Sequence, residues 1–272
     1  MEKYGKNIVL FLLLAGMAPA VQAENEPSRE SNEEYYVSDE CCPRVAVIDF
    51  DNAVDLKKLE MRLLDLAKDK NIHGILLAVD HCGGGPEVGV IHDLIIRIKR
   101  IKPIVGLVRG VALSAGYHVA SAADYLIAHT CSGVGSIGVW REIQRWDEKN
   151  VDAERNGLKA HARIYIFKAG KYKALERPCV GELSDEEKAY IQAGIDKDYE
   201  EFIAAVAHNR GLDIARSEDW AEGKTFTAAE ALELGLIDEI GTAIEAEIML
   251  IKLMRKRNPN KIISIDVRYV YS

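Results

Sequence analysis

Between Val45 and Ala128, short continuous apolar runs alternate with segments of helical spacing, and this alternation restricts the chain more than any other feature. The runs are Val45-Ala46-Val47-Ile48, Gly74-Ile75-Leu76-Leu77-Ala78-Val79, Pro103-Ile104-Val105-Gly106-Leu107-Val108 and Tyr125-Leu126-Ile127-Ala128. Unbroken runs of this kind belong to parallel sheets covered on both faces. Between them, Asp55–Lys70 carries Leu56, Leu59, Leu63, Leu66 and Ala67, and Pro86–Ile101 carries Val90, Ile91, Leu94, Ile95 and Ile98. Both sets recur at helical spacing, and Leu113–Ala123 reads as a helix of small residues. The pattern predicts βαβ units with right-handed crossovers. After Ser184 the chain reads as mainly helical. Ser184-Asp185-Glu186-Glu187 and Thr227-Ala228-Ala229-Glu230 both have the spacing of a capping box. The helix opened by the first is expected to run to about Arg210, before Gly211.

The rest of the chain sets outer bounds. Its 272 residues suffice for one large domain or two small ones. A hydrophobic share of 48% and a formal net charge of -8 fit a globular chain with no nucleic-acid-binding arm. Lys252, Arg255, Lys256, Arg257 and Lys261 form the nearest thing to a basic cluster. It reads as a solvated helix end that complements the helix dipole, with a membrane-surface or partner contact as the alternative.

At the N-terminus, Lys3 and Lys6 precede an apolar run from Ile8 to Val21, and Val21-Gln22-Ala23 offers small residues for cleavage. The run is short for a membrane span. Residues 1–23 therefore read as a signal peptide and imply export, with an uncleaved anchor as the alternative. Residues 24–44, acidic and poor in aliphatic side chains, are expected to be a disordered linker. A folded domain is expected over 45–241, followed by a C-terminal helix and tail over 242–272. The cysteines, Cys41, Cys42, Cys82, Cys131 and Cys179, are odd in number and lack zinc-site spacing. No metal and no cofactor is expected.

Three segments carry candidate chemistry. Asp80-His81-Cys82-Gly83-Gly84-Gly85-Pro86 follows a buried strand, and its glycines let backbone amides approach a ligand. It lacks the Lys-Ser/Thr that completes a phosphate loop. In Gly110-Val111-Ala112-Leu113-Ser114-Ala115-Gly116-Tyr117, Ser114 falls between a strand and a helix start, where positive backbone charge favours a developing oxyanion. Read alone, it serves equally as an N-cap. Lys168-Ala169-Gly170-Lys171-Tyr172-Lys173 offers a lysine that can act as a base once burial disfavours its ammonium form.

Taken together, these motifs resemble the SppA family, the signal peptide peptidases with a Ser/Lys dyad. Gly83-Gly84 is similar to the glycines of the family's Asn-Ser-Pro-Gly-Gly loop, and Leu113-Ser114-Ala115-Gly116-Tyr117 to its Ala-Ser-Gly-Gly-Tyr motif. Gly135-Ser136-Ile137-Gly138-Val139 matches its Gly-Ser-Ile-Gly-Val segment, and Gly170-Lys171-Tyr172-Lys173 resembles the stretch bearing its base. The resemblance spans about Val45 to Ile240. It implies an α/β fold of ClpP/crotonase type, built of repeated ββα units with a mainly helical C-terminal part.

The resemblance also implies roles. Ser114 is the nucleophile and Lys173 the general base. The amides of Gly84 and Ala115 form the oxyanion hole, and Ser136 orients the lysine. It further implies a homo-oligomer whose neighbouring subunits complete the substrate grooves, acting on short unfolded hydrophobic peptides such as signal-peptide remnants. Three departures bear on substrate fit: Asp80-His81-Cys82 stands where the family has Asn-Ser-Pro, Ala115 replaces a glycine, and Ala174 stands where the family often has Asp or Ser. Three alternatives remain. A Ser/His/Asp esterase would draw on His118, which shares a rigid helix with Ser114. A crotonase-type acyl-CoA enzyme sits poorly with export. An inactive oligomeric scaffold or peptide-binding member of the fold has no need of Ser114, Lys173 and Ser136 together.

Overall fold

The computed structural model of the chain describes residues 44–143, 145–146, 172–173, 175, 179–180, 182–259 and 268–271. The signal-peptide expectation, Cys41 and Cys42 lie outside them, as does the expected linker except for its last residue, Arg44, which begins a strand.

The predicted alternation is observed. Strands β1 (Arg44–Asp51), β2 (Ile72–His81), β3 (Ile104–Leu113) and β4 (Tyr125–Ala128) alternate with helices α1 (Leu56–Lys68), α2 (Gly89–Ile98) and α3 (Ala115–Ser121). All four strands pair in parallel in chain order. Side chains alternate across the sheet, as the strand period of two requires. Ala46, Ile48, Phe50, Ile75, Leu77 and Val79 face α1, α2 and α3 in the larger core. Val45, Leu76, Val105, Leu107 and Ile127 face the other way, onto Ala246, Leu250 and Met254.

Those last three residues belong to a helix of the C-terminal part, whose elements close the sheet. After the short strands β5 (Gly133–Gly135), β6 (Arg145–Trp146) and β7 (Cys179–Val180), the last two paired in parallel, comes the long helix α4 (Asp185–Arg210). Then follow α5 (Ser217–Trp220), β8 (Thr225–Thr227), α6 (Ala228–Glu233), β9 (Glu239–Ile240), α7 (Ala243–Arg257) and β10 (Arg268–Tyr271). The strand order is β10-β1-β2-β3-β4-β9, with β5 pairing both β3 and β8. Gly74 leaves room for α7, since a Cβ there would lie 3.0 Å from Leu250.

Both expected capping boxes form, and Thr242–Glu245 adds a third at the start of α7. Helix α4 stops at Gly211 in the left-handed conformation, as its predicted end requires. The helix expected over Pro86–Ile101 is shorter. It opens with a 3₁₀ turn at Pro86–Val88 and closes at Ile98.

Helices α2, α3 and α4 meet at two stacked imidazoles. His92 and His118 lie 3.9 Å apart and nearly parallel, and Phe202 meets His118 edge-on. Asn209 Nδ2 bridges His92 Nε2 and Ser121 Oγ at 3.0 and 3.2 Å. Burial, with His92 alongside, pushes His118 down to about 4, and burial lowers His92 as well. His118 therefore stays neutral in the fold while the unfolded chain takes up its proton near pH 6.5. Its contribution to stability is complete above pH 6.5 and declines as pH falls toward 4. The urea midpoint should drop between pH 7.5 and 4.5, and His118→Phe should flatten that dependence; an unchanged slope would refute the assignment. Packing beneath α3 is equally exacting. A Cβ at Gly116 would lie 2.3 Å from the His81 carbonyl oxygen. Gly116→Ala should cost about 1–3 kcal/mol, read as a lowered melting temperature.

Candidate active site

Ser114 sits at the junction of β3 and α3 with φ 52° and ψ -126°. A non-glycine residue there is strained by about 1–3 kcal/mol and persists only when its surroundings hold it. Two bonds do so: Ser114 N donates to Gly135 O at 2.8 Å, and Ser114 O accepts from His118 N at 2.9 Å. Among the described residues only Ser114, Ser136 and Glu222 combine a side chain with positive φ. The first two line one cleft, and the third precedes Gly223, which lines it too.

That cleft, of about 730 Å³, is bounded by Cys82, Gly83, Gly84, Gly85, Ser114, Ser136, Gly138, Val139, Trp140 and Gly223. Gly83 backs directly onto Ser114. A Cβ there would stand 2.8 Å from Ser114 Cβ, and its φ of +124° already requires glycine. The Cys82 amide is committed to Asn52 Oδ1 at 2.9 Å and the Gly83 amide to His81 Nδ1 at 3.1 Å. The amides of Gly84 and Ala115 go to no acceptor among the described residues. Ser114 thus stands between two uncommitted donors. The Ser114 side chain makes no capping bond, so the N-cap reading of this residue does not hold. Its α3 neighbour Ala115 has no positive φ, so replacing glycine there strains nothing.

Ser136 is fixed from behind, its amide donating to Lys224 O at 2.6 Å. Antiparallel pairing of β5 with β8 holds that segment in place. Apolar surface is concentrated at the rim, where Val139 lines the wall and Trp140 is 79% exposed. His118, the triad base of the esterase reading, is packed in the α2–α3–α4 stack and does not line the cleft.

Lys173 lies elsewhere. It is exposed and does not line the cleft. Its neighbour Tyr172 stacks on Tyr190 at 4.2 Å and donates to Glu186 Oε1 at 2.8 Å, which ties the segment to the first turns of α4. Arg141, next in sequence to the rim residue Trp140, pairs with Asp198 much further along α4. At 1.5 Å per residue, about 18 Å of helix axis separates Glu186 from Asp198. The structure brings together Ser114, Ser136, Gly84 and Ala115, and it leaves Lys173 apart. Sequence reasoning missed His81, whose signal was its replacement of a family serine.

Residues 97–255, more than half the chain, match peptidase family S49. The protein named "Putative protease MJ0651" of Methanocaldococcus jannaschii is 35% identical over 200 residues, covering 72% of this chain and 60% of that one. "Putative signal peptide peptidase SppA" of Enterococcus faecium is 29% identical over 189 residues, 68% of this chain and 52% of that one. The chain thus spans between half and two thirds of the length of these relatives. A ClpP1 variant of Listeria monocytogenes overlaps with a TM-score of 0.47 at 16% identity, covering 73% of this chain and 91% of that one. With a parallel β–α core and a helical C-terminal part, the chain belongs to peptidase family S49, the family of the SppA signal peptide peptidases.

Proposed function

We propose that the protein is a serine peptidase in which Ser114 attacks the scissile carbonyl and Lys173 is the general base. The observation that carries this reading is Ser114 itself, strained on the cleft wall between the uncommitted amides of Gly84 and Ala115. Ser114 Oγ adds to the carbonyl carbon as Lys173 Nζ takes its proton. The carbonyl oxygen becomes an oxyanion that accepts from the two amides. Lys173 returns the proton to the leaving amine. Water, deprotonated by the same lysine, then cleaves the acyl-enzyme and regenerates Ser114. Ser136 holds the amine toward Ser114.

Completion of the dyad follows from assembly. Within α4 only Val206 and Ala207 are buried, so its N-terminal half presents an exposed arm bearing Lys173 at its tip. Docking this arm against another copy places Lys173 beside that copy's Ser114 and withdraws the amine from water, which favours its neutral form. The protein is thus a homo-oligomer larger than a dimer, with no cofactor. Residues 1–23 act as a signal peptide that places it outside the cytoplasm, at or near the membrane surface.

The cleft suits short unfolded peptides with apolar residues, such as signal-peptide remnants. An extended chain would lie along Gly83–Gly85, with backbone bonds for affinity and the Val139–Trp140 wall for preference. One observation, Lys173 apart from Ser114, favours a second reading, an inactive peptide-binding member of the fold.

Hydrolysis of a fluorogenic apolar peptide separates the two. Ser114→Ala and Lys173→Ala should each lower kcat more than a thousandfold at unchanged melting temperature, whereas Lys171→Ala should stay within about threefold. Mixing the two inactive variants should restore part of the activity, because some clefts then pair an intact Ser114 with an intact Lys173. No hydrolysis by the wild-type oligomer would favour the inactive reading. Full activity in a light-scattering monomer would refute the shared site.

A further inference from the structure

We infer that His81 is a positioning residue of the oxyanion loop, its unprotonated Nδ1 holding the Gly83 peptide so that the next amide, Gly84, faces Ser114. The inference rests on the assignment of Gly84 as an oxyanion donor.

The geometry is a chain of commitments. His81 ends β2, is 6% exposed, and stacks flat on Phe50 of β1 at 4.4 Å and 8°. Gly116 of α3 closes over its backbone. The ring therefore has no freedom to turn, and its Nδ1 accepts from Gly83 N at 3.1 Å. With the Cys82 amide held by Asn52, Gly84 carries the first amide of the loop left uncommitted, and it lines the cleft. An acceptor at Nδ1 requires the tautomer protonated at Nε2. A protonated ring would turn Nδ1 into a donor facing the Gly83 N–H, and the peptide would have to rotate away.

The surroundings keep the ring neutral. Burial lowers its affinity for a proton, opposed by the negative charge of Asp51 on β1. The other nearby carboxylates are engaged or displaced. Asp80 accepts from Val111 N at 2.9 Å, and Glu87 lies against Gly85. Phe50 stacks on the ring, Gly84 lies near its Cε1, Ala112 is the strand partner of His81 and Gly116 lies against its carbonyl and Cβ; none of these is charged. In this chain, then, an acid step in activity belongs to the loop and is separate from the lysine base.

His81→Phe keeps the stack and removes the acceptor. His81→Asn places Oδ1 close to the position of Nδ1 and does not titrate. His81→Phe should lose about 10–100-fold in kcat, with KM within about twofold, since a displaced oxyanion donor acts on the transition state. His81→Asn should retain activity within about threefold. In the wild type, log kcat against pH should steepen from slope one to slope two below the His81 pKa, and in His81→Asn it should keep slope one. Hydrogen exchange of the Gly83 amide should accelerate in His81→Phe but not in His81→Asn, whether or not either variant hydrolyses peptide. Wild-type kcat in His81→Phe, equal slopes in wild type and His81→Asn, or unchanged Gly83 exchange would each overturn the inference. A protected Gly83 amide in a protein that hydrolyses nothing would instead leave the loop geometry standing and sink the peptidase reading.

Discussion

The backbone at Ser114 is the constraint on which the rest of the site depends. A serine at φ 52° and ψ -126° is held by β5 through its amide and by α3 through its carbonyl. β5 can serve as anchor because it is wedged between β3 and β8. α3 can serve because Gly116 lets it press onto the end of β2, and because the His92–His118 stack and Tyr117, whose hydroxyl donates to Leu236 O at 2.8 Å, lock its far side. The two-faced sheet thus does more than bury apolar surface. It supplies the rigidity against which one strained residue can be kept in place.

The same logic divides the chain into a finished half and an unfinished one. Ser114, the amides of Gly84 and Ala115 and the glycine loop are all set within a single copy. Lys173 rides on a long, mostly exposed helix, clamped locally by Tyr172, Tyr190 and Glu186 but remote from the cleft. Activity gated by assembly would therefore confine peptide hydrolysis to the oligomer.

Much of this was legible in the sequence because it is periodic or local. The four inner strands, α1, the long α4 with its capping box and glycine stop, and the α6 start all have short-range causes. The two- and three-residue strands β5, β8 and β9 were not legible, since they pair only because tertiary contacts bring them together. β3 runs on to Leu113, past its apolar run, for the same reason: Val111–Leu113 pair with β5. The motifs identified Ser114, Ser136 and Gly84 as neighbours, but not the positive φ of two of them. His81 looked like a mere departure from a family loop. Its proposed role emerged only once Phe50, 31 residues away in sequence but on the neighbouring strand, was seen stacked upon it. Lys173 was legible as a motif and not as a position, because an exposed lysine before a long helix carries no periodic signal of where it lies.

The most direct test of the central claim is mass-spectrometric mapping of the adduct formed by a fluorophosphonate on the assembled protein. The account predicts one modified residue, Ser114, with labelling that quickens as pH rises and the lysine base loses its proton. Labelling at any other residue, or none in an oligomer that cleaves peptides, would contradict it.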